Sequence, residues 1–181
     1  LTGDVADLAM TFILMAPRRI GEAQRFLRDG KWLQGRMDLG TTVRGKRLGI
    51  LGLGRIGKAV ARRAEVFGLH IAYHDIKPMG DLLYRSYPTL GDLAAASDIL
   101  LVACEGGQAT AGLVDGAVLD ALGPDGFLIN AARGTIIDQP ALVSALRDGR
   151  IAGAALDVFD GEPEVPAEMM AMENVILTPH I

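Results

Sequence analysis

Cysteine is almost missing from this chain. Cys104 is the single one in 181 residues, which excludes an internal disulfide framework and agrees with a reducing compartment, so a cytoplasmic protein is expected. Aromatic residues make up only 5% while hydrophobic residues reach 50%, so the core has to be built from Val, Ile, Leu and Ala. There is no basic cluster and the net charge is −4, which removes the electrostatic footprint of a nucleic-acid binder. Long apolar runs are also lacking. The most apolar early stretch, Leu8–Ala16, is too short to cross a bilayer and has no basic start or cleavage pattern. Histidines number three, none paired on a helix face, and with a lone cysteine this leaves no metal-ligand spacing. No repeat or low-complexity segment stands out. The length suits one domain and at most a fragment of a second, and the start at Leu1 and stop at Ile181 suggest a piece of a longer protein.

What is present centres on Lys46–Gly57 (KRLGILGLGRIG). A short apolar strand, Leu48–Leu51, runs into Gly52-x-Gly54-x-x-Gly57, and a helical pattern follows over Arg55–Phe67. The first Gly permits a tight turn, the second lets phosphates approach the backbone, and the third lets helix and strand pack closely. The pyrophosphate of a dinucleotide would sit on the helix N-terminus. Asp75 ends the next apolar run about 18 residues on, where an acidic residue meets the adenosine ribose hydroxyls and opposes a 2′-phosphate. NAD is therefore expected over NADP.

Along the chain, Thr2–Gly30 reads as one long helical segment, capped by Thr2 or Asp4 and kinked or interrupted at Pro17, with a second stretch over Ile20–Arg28. Trp32 is expected to pack its loop onto the core, and Gly35–Gly45 is a polar connector. From Lys46 the pattern alternates. Strands are expected at Leu48–Leu51, Leu69–Tyr73, Asp98–Ala103, Gly126–Asn130, Ile151–Leu156 and Val175–Leu177. Helices are expected at Arg55–Phe67, Leu90–Ala96, Gly116–Leu122 and Gln139–Asp148, the last capped by Asp138. This is the pattern of an α/β, doubly wound parallel sheet with default order 3-2-1-4-5-6. Gly161–Met172, acidic and with two prolines, reads as a surface loop with one helical turn at most.

In such sheets ligands bind beyond the carboxyl ends of the strands. The residues found there are Gly52–Gly57, Asp75, Ala103–Gly107, Asn130–Gly134, Asp157 with Glu162, and Thr178–His180. An Arg, a Glu and a His thus fall on one edge. Arg133 offers a rigid fork suited to a carboxylate, and His180 titrates in the range useful for proton transfer. His70, His74 and Cys104 read as structural.

Four stretches, GILGLGRIGKAVARRAEVFG (49–68), LINAARGTIIDQPALVSALRDGRIAG (128–153), AALDVFDGEP (154–163) and NVILTPHI (174–181), resemble the D-isomer-specific 2-hydroxyacid dehydrogenases. The resemblance implies that residues 1–181 are that family's nucleotide-binding domain, with 1–35 its N-terminal helical segment and the substrate lobe outside this chain. It implies catalysis by Arg133 (substrate carboxylate and carbonyl), Glu162 (partner of the histidine) and His180 (acid/base). The cofactor-binding set it implies is Gly52, Gly54, Arg55, Ile56, Gly57, Asp75, Ala103, Ala131, Ala132, Arg133, Asp157 and His180, with Asp157 on the nicotinamide carboxamide. At 103–107, Ala-Cys-Glu-Gly-Gly is closer to the Cys-Pro-Gly-Gly of glyoxylate and hydroxypyruvate reductases than to the His-x-Pro-Leu-Thr of many members. A small 2-oxo acid substrate and a homodimer through this domain are further implications. The same motifs are similar to those of NAD-sensing transcriptional corepressors, which leaves a binding module as the alternative.

Overall fold

The computed structural model describes residues 1–77 and 83–181. Seven strands form one all-parallel sheet: β1 (Arg47–Leu51), β2 (His70–His74), β3 (Arg85–Ser86), β4 (Ile99–Val102), β5 (Phe127–Asn130), β6 (Gly153–Leu156) and β7 (Val175–Leu177), in the order 3-2-1-4-5-6-7. The order is doubly wound, but the expected place of Asp98–Ala103 as the outer strand beyond β2 is taken by β3, a strand the sequence reading lacks. β3 is two exposed residues paired to Ala72 and Tyr73 of β2, and it makes the expected third strand the fourth, lying directly beside β1.

Alternate residues of each strand feed opposite layers, as the pleat requires. Leu48, Ile50, Leu101, Ile129 and Ala155 pack with Ala9, Phe12 and Ile13 of α1 (Thr2–Met15) and Val60, Ala61 and Ala64 of α3 (Arg55–Val66). Leu51, Leu100, Val102, Leu128, Ala154 and Leu156 face the other way, toward α4 (Leu90–Ala95), α5 (Gly116–Leu122) and α6 (Gln139–Arg147). Each fully buried Leu or Ile contributes roughly 1.5–3 kcal/mol over its exposed state. The buried register fixes every strand, since a one-residue slip would turn these side chains to the wrong layer.

Pro17 interrupts the N-terminal segment. α1 stops at Met15, and α2 (Ile20–Arg28) restarts after Arg19, which is left-handed at φ 55°. Leu1, not Thr2 or Asp4, occupies the cap position of α1, and it makes no side-chain cap bond. Trp32 does not pack on the core. It stands 67% exposed in a 3₁₀ turn beyond the end of α2, next to the still more exposed Leu33. Asp138 caps α6 as expected, accepting from Ala141 N–H at 3.1 Å. The acidic Pro-containing loop holds α7 (Ala167–Ala171), anchored by the fully buried Met169.

Candidate active site

The Gly loop joins β1 to α3. Gly52 has φ 89°, and a Cβ there would lie 2.6 Å from the backbone of Cys104, so only Gly fits. A Cβ on Gly57 would lie 2.3 Å from the carbonyl of Gly52, which is the close helix–strand packing expected of the third Gly. Space over Gly54 is open, and Gly54 caps α3 without any side-chain bond, leaving the first N–H groups of the helix for an anion. Arg55 is exposed and Ile56 half-buried at that entrance. The residues present therefore fit a dinucleotide pyrophosphate. Asp75 closes the loop: its Oδ2 accepts from Leu53 N–H at 2.8 Å and its Oδ1 from Lys77 N–H at 2.9 Å.

On the other side of β1, Ala103 extends β4 by donating to Leu51 O at 2.8 Å. Cys104 follows, and burial pushes its thiol up to about 11, so it is no nucleophile near neutral pH. His74 is structural as expected, its Nδ1 bonded to Tyr87 O at 2.9 Å.

After β5 the chain turns through Ala131, Ala132 and Arg133. Asn130 shapes this turn: it is wholly buried, its Nδ2 donates to Arg133 O and its Oδ1 accepts from Ala132 N–H, both at 3.0 Å. Gly134 lies against the chain carrying Glu162, where a Cβ would come within 2.0 Å of the Phe159 carbonyl carbon. That contact sets Arg133 beside the acid. Arg133 is exposed, and its Nη1 donates to Ala132 O at 2.7 Å.

Glu162 Oε2 lies 2.7 Å from His180 Nδ1, and Glu162 Oε1 accepts from Phe159 N–H at 2.8 Å. These two bonds, the histidine's first, hold the Glu162 carboxyl below the usual carboxylate range, and the nearby Arg133 charge adds to the effect. Glu162 and His180 are therefore in contact, and Arg133 lies near enough for its charge to act on Glu162. His180 has φ 56°, a left-handed setting that a side chain rarely adopts. Asp157, 3% exposed, brackets that turn. One oxygen, Oδ1, accepts both from Thr178 Oγ1 at 2.5 Å and from Ile181 N–H at 3.1 Å. Sequence reasoning put Asn130 and Thr178 at the ligand edge but missed what they do there, shaping the Arg133 turn and tying Asp157 to the segment before His180. Among the described residues no group of three His, Cys, Asp or Glu side chains is placed to hold a metal.

A parallel doubly wound sheet with a glycine loop at its first turn and an acidic residue just beyond β2 defines a Rossmann-type NAD(P)-binding domain. Residues 10–181 match the family described as D-isomer specific 2-hydroxyacid dehydrogenase, NAD binding domain, and the chain belongs to it. It is 52% identical over its whole length to glyoxylate/hydroxypyruvate reductase A of Arabidopsis thaliana, covering 58% of that protein. It is 50% identical to hydroxyphenylpyruvate reductase of Plectranthus scutellarioides, again covering 58%. Among solved structures, 99% of the chain superposes with a TM-score of 0.94 on 57% of the NADPH-dependent glyoxylate/hydroxypyruvate reductase from Sinorhizobium meliloti in complex with NADP and malonate, at 46% identity. The chain thus spans under three-fifths of the relatives it matches.

Proposed function

We propose that this chain is the nucleotide-binding domain, over residues 1–181, of a reductase that converts a small 2-oxo acid of the glyoxylate or hydroxypyruvate class to its D-2-hydroxy acid, the substrate lobe lying outside it. The observation that carries the reading is the His180–Glu162 contact at 2.7 Å beside Arg133, at the same sheet edge as the Gly52–Gly57 loop. The bound nicotinamide would supply the hydride that reaches C2 of the oxo acid. His180 gives the proton to the forming alkoxide from Nε2, because Nδ1 faces Glu162. Glu162 stays ionised and orients the ring through its contact with Nδ1. Arg133 holds the substrate carboxylate and polarises the carbonyl, an electrostatic contribution that grows as charge develops on oxygen. Asp157 keeps its second oxygen, Oδ2, for the carboxamide N–H of the cofactor, since Oδ1 is engaged with the His180 turn. Ala131 and Ala132 line the cofactor's path without blocking it, both half-buried.

NADH is the preferred cofactor in this reading. Two backbone N–H groups fix the Asp75 carboxylate at the mouth of the loop, and a 2′-phosphate would bring about two negative charges beside it. The preference should be about ten- to a hundredfold, on the scale of one charged contact. Lys77, two residues on, softens it. Calorimetric titration with both cofactors measures this, and equal or tighter NADPH binding refutes it. The single Cys104 agrees with a cytoplasmic enzyme, and the exposed Leu27, Trp32, Leu33 and Leu39 offer the surface that a homodimer would cover. The function itself is tested by turnover of the complete protein with hydroxypyruvate, glyoxylate and pyruvate. NADH binding without turnover of any of them would sink the reductase reading.

A further inference from the structure

The loop after β4 and the turn after β5 meet at one point. A Cβ built on Gly106 would lie 2.5 Å from Cγ and 2.8 Å from Cβ of Arg133, with Cδ at 3.7 Å. These are the nearest atoms it would meet, and all three belong to one side chain. Gly106 is exposed and its φ lies outside the left-handed region, so neither packing nor backbone conformation demands Gly there. The demand comes from Arg133 alone.

The contact is not relieved by bending the far end of the arginine, because Cβ and Cγ are the atoms nearest its backbone. Nor are the two backbones free to part. The Thr110 hydroxyl bonds the carbonyls of Glu105 at 2.9 Å and Gly107 at 3.2 Å. Gly112 N–H donates to Thr135 O at 2.8 Å and Val114 N–H to Ile136 O at 3.0 Å, stitching the segment after β4 to the segment that carries Arg133. Asn130 and the Gly134–Phe159 contact hold the Arg133 turn from its other sides. What remains is a change of χ1 to another staggered well, about 120° away. Such a change moves the guanidinium, at the end of a four-bond stem, far more than it moves Cγ.

We propose that Gly106 is a positioning and specificity-determining residue: its bare α-carbon seats the stem of Arg133 and so aims the guanidinium at the carboxylate of a 2-oxo acid. The inference rests on the carboxylate-binding role given to Arg133 above. A side chain at 106 swings the fork off its target and weakens the hold on small oxo acids while leaving the dinucleotide site intact.

The test is a double-mutant cycle in the complete enzyme with Gly106→Ala, Arg133→Gln and the pair. Gly106→Ala should raise KM for hydroxypyruvate by roughly ten- to a hundredfold, the worth of a charged hydrogen bond, with a smaller fall in kcat. The thermal midpoint and the NADH dissociation constant should stay at wild-type values. In the Arg133→Gln background the same substitution should change kcat/KM by less than about threefold, because both act through one guanidinium. A loss as large in that background as in the wild type overturns the proposal, and so does a parallel loss of NADH affinity, which would mean a distorted loop. An impaired Arg133→Gln beside an unaffected Gly106→Ala refutes the seat and leaves the carboxylate reading standing. An Arg133→Gln enzyme with wild-type KM removes both.

Discussion

Asp157 is the most informative residue to perturb, because one of its oxygens holds the catalytic turn and the other is open to the cofactor. Asp157→Ala deletes the acceptor for Thr178 Oγ1 and Ile181 N–H, both bonded to a carboxylate that is 3% exposed. Ile181 is 74% exposed and Thr178 half-buried, so water takes up part of the lost bonding and the folded state should lose about 1–3 kcal/mol. The same bonds hold His180 at φ 56°. A left-handed setting costs a side chain about 1–2 kcal/mol, so an unclamped turn relaxes and the histidine is in place only a small fraction of the time. At 1.4 kcal/mol per tenfold, kcat should drop about five- to thirtyfold beyond any change in cofactor binding. Asp157→Asn separates the two roles. Its amide oxygen still accepts from both donors, so stability and saturated kcat should stay within a few-fold of wild type, while NADH affinity falls because an NH₂ group replaces the acceptor facing the carboxamide. Urea denaturation, saturated turnover and NADH titration of the three proteins provide the measurements. Wild-type stability and saturated kcat in Asp157→Ala would refute the clamp.

Replacing His180 with Ala in the complete enzyme should lower turnover by about 10²–10⁴-fold, with NADH affinity nearly unchanged if the Gly loop and Asp75 make the adenosine contacts as proposed; steady-state kinetics and calorimetry check both parts. Glu162→Gln replaces the carboxylate that faces His180 Nδ1 with a neutral amide, so kcat of the complete enzyme should fall about ten- to a hundredfold, the worth of a charge-assisted bond; steady-state kinetics check this, and a wild-type kcat would mean that the pair does not couple. Asp98 accepts from Arg47 through its side chain at 2.8 Å and its backbone N–H at 2.8 Å, and the Arg47 side-chain bond holds its carboxyl below the usual range. A depressed carboxyl stabilises the fold above its unfolded-state value and loses that contribution as pH falls, so Asp98→Asn should be less stable than wild type at pH 7 and converge with it below about pH 4, measured by urea midpoints across pH.

The glycine loop was legible because its information is local. Gly52, Gly54 and Gly57 answer to sterics within their own turn, and spacing alone encodes them. β1, β4, β5 and β6 were legible for a related reason: strands buried on both faces are continuous apolar runs. β3 failed that test because Arg85 and Ser86 are exposed and polar, held by pairing with β2 and not by burial. Trp32 failed in the opposite sense, since a large aromatic on a 3₁₀ turn past the core is left 67% exposed by the described residues.

The site residues divide along the same line. Arg133, Glu162 and His180 could be placed on one edge from strand ends alone, but what aims them could not. Asn130 shapes the Arg133 turn from inside the sheet, Gly134 works because Phe159 lies on it, and Gly106 matters only because Arg133 crosses it. None of these roles has a periodicity or a spacing, for each depends on which backbone stands opposite. His180 shows the limit most clearly. Its chemistry is readable from Thr-Pro-His at a strand end, yet its left-handed backbone is held by a carboxylate from β6's own end, which the spacing of that motif does not reveal. Reactive groups in such a domain are therefore easier to find in sequence than the contacts that aim them, and substitutions at the aiming residues should change kinetics more selectively than substitutions at the groups themselves.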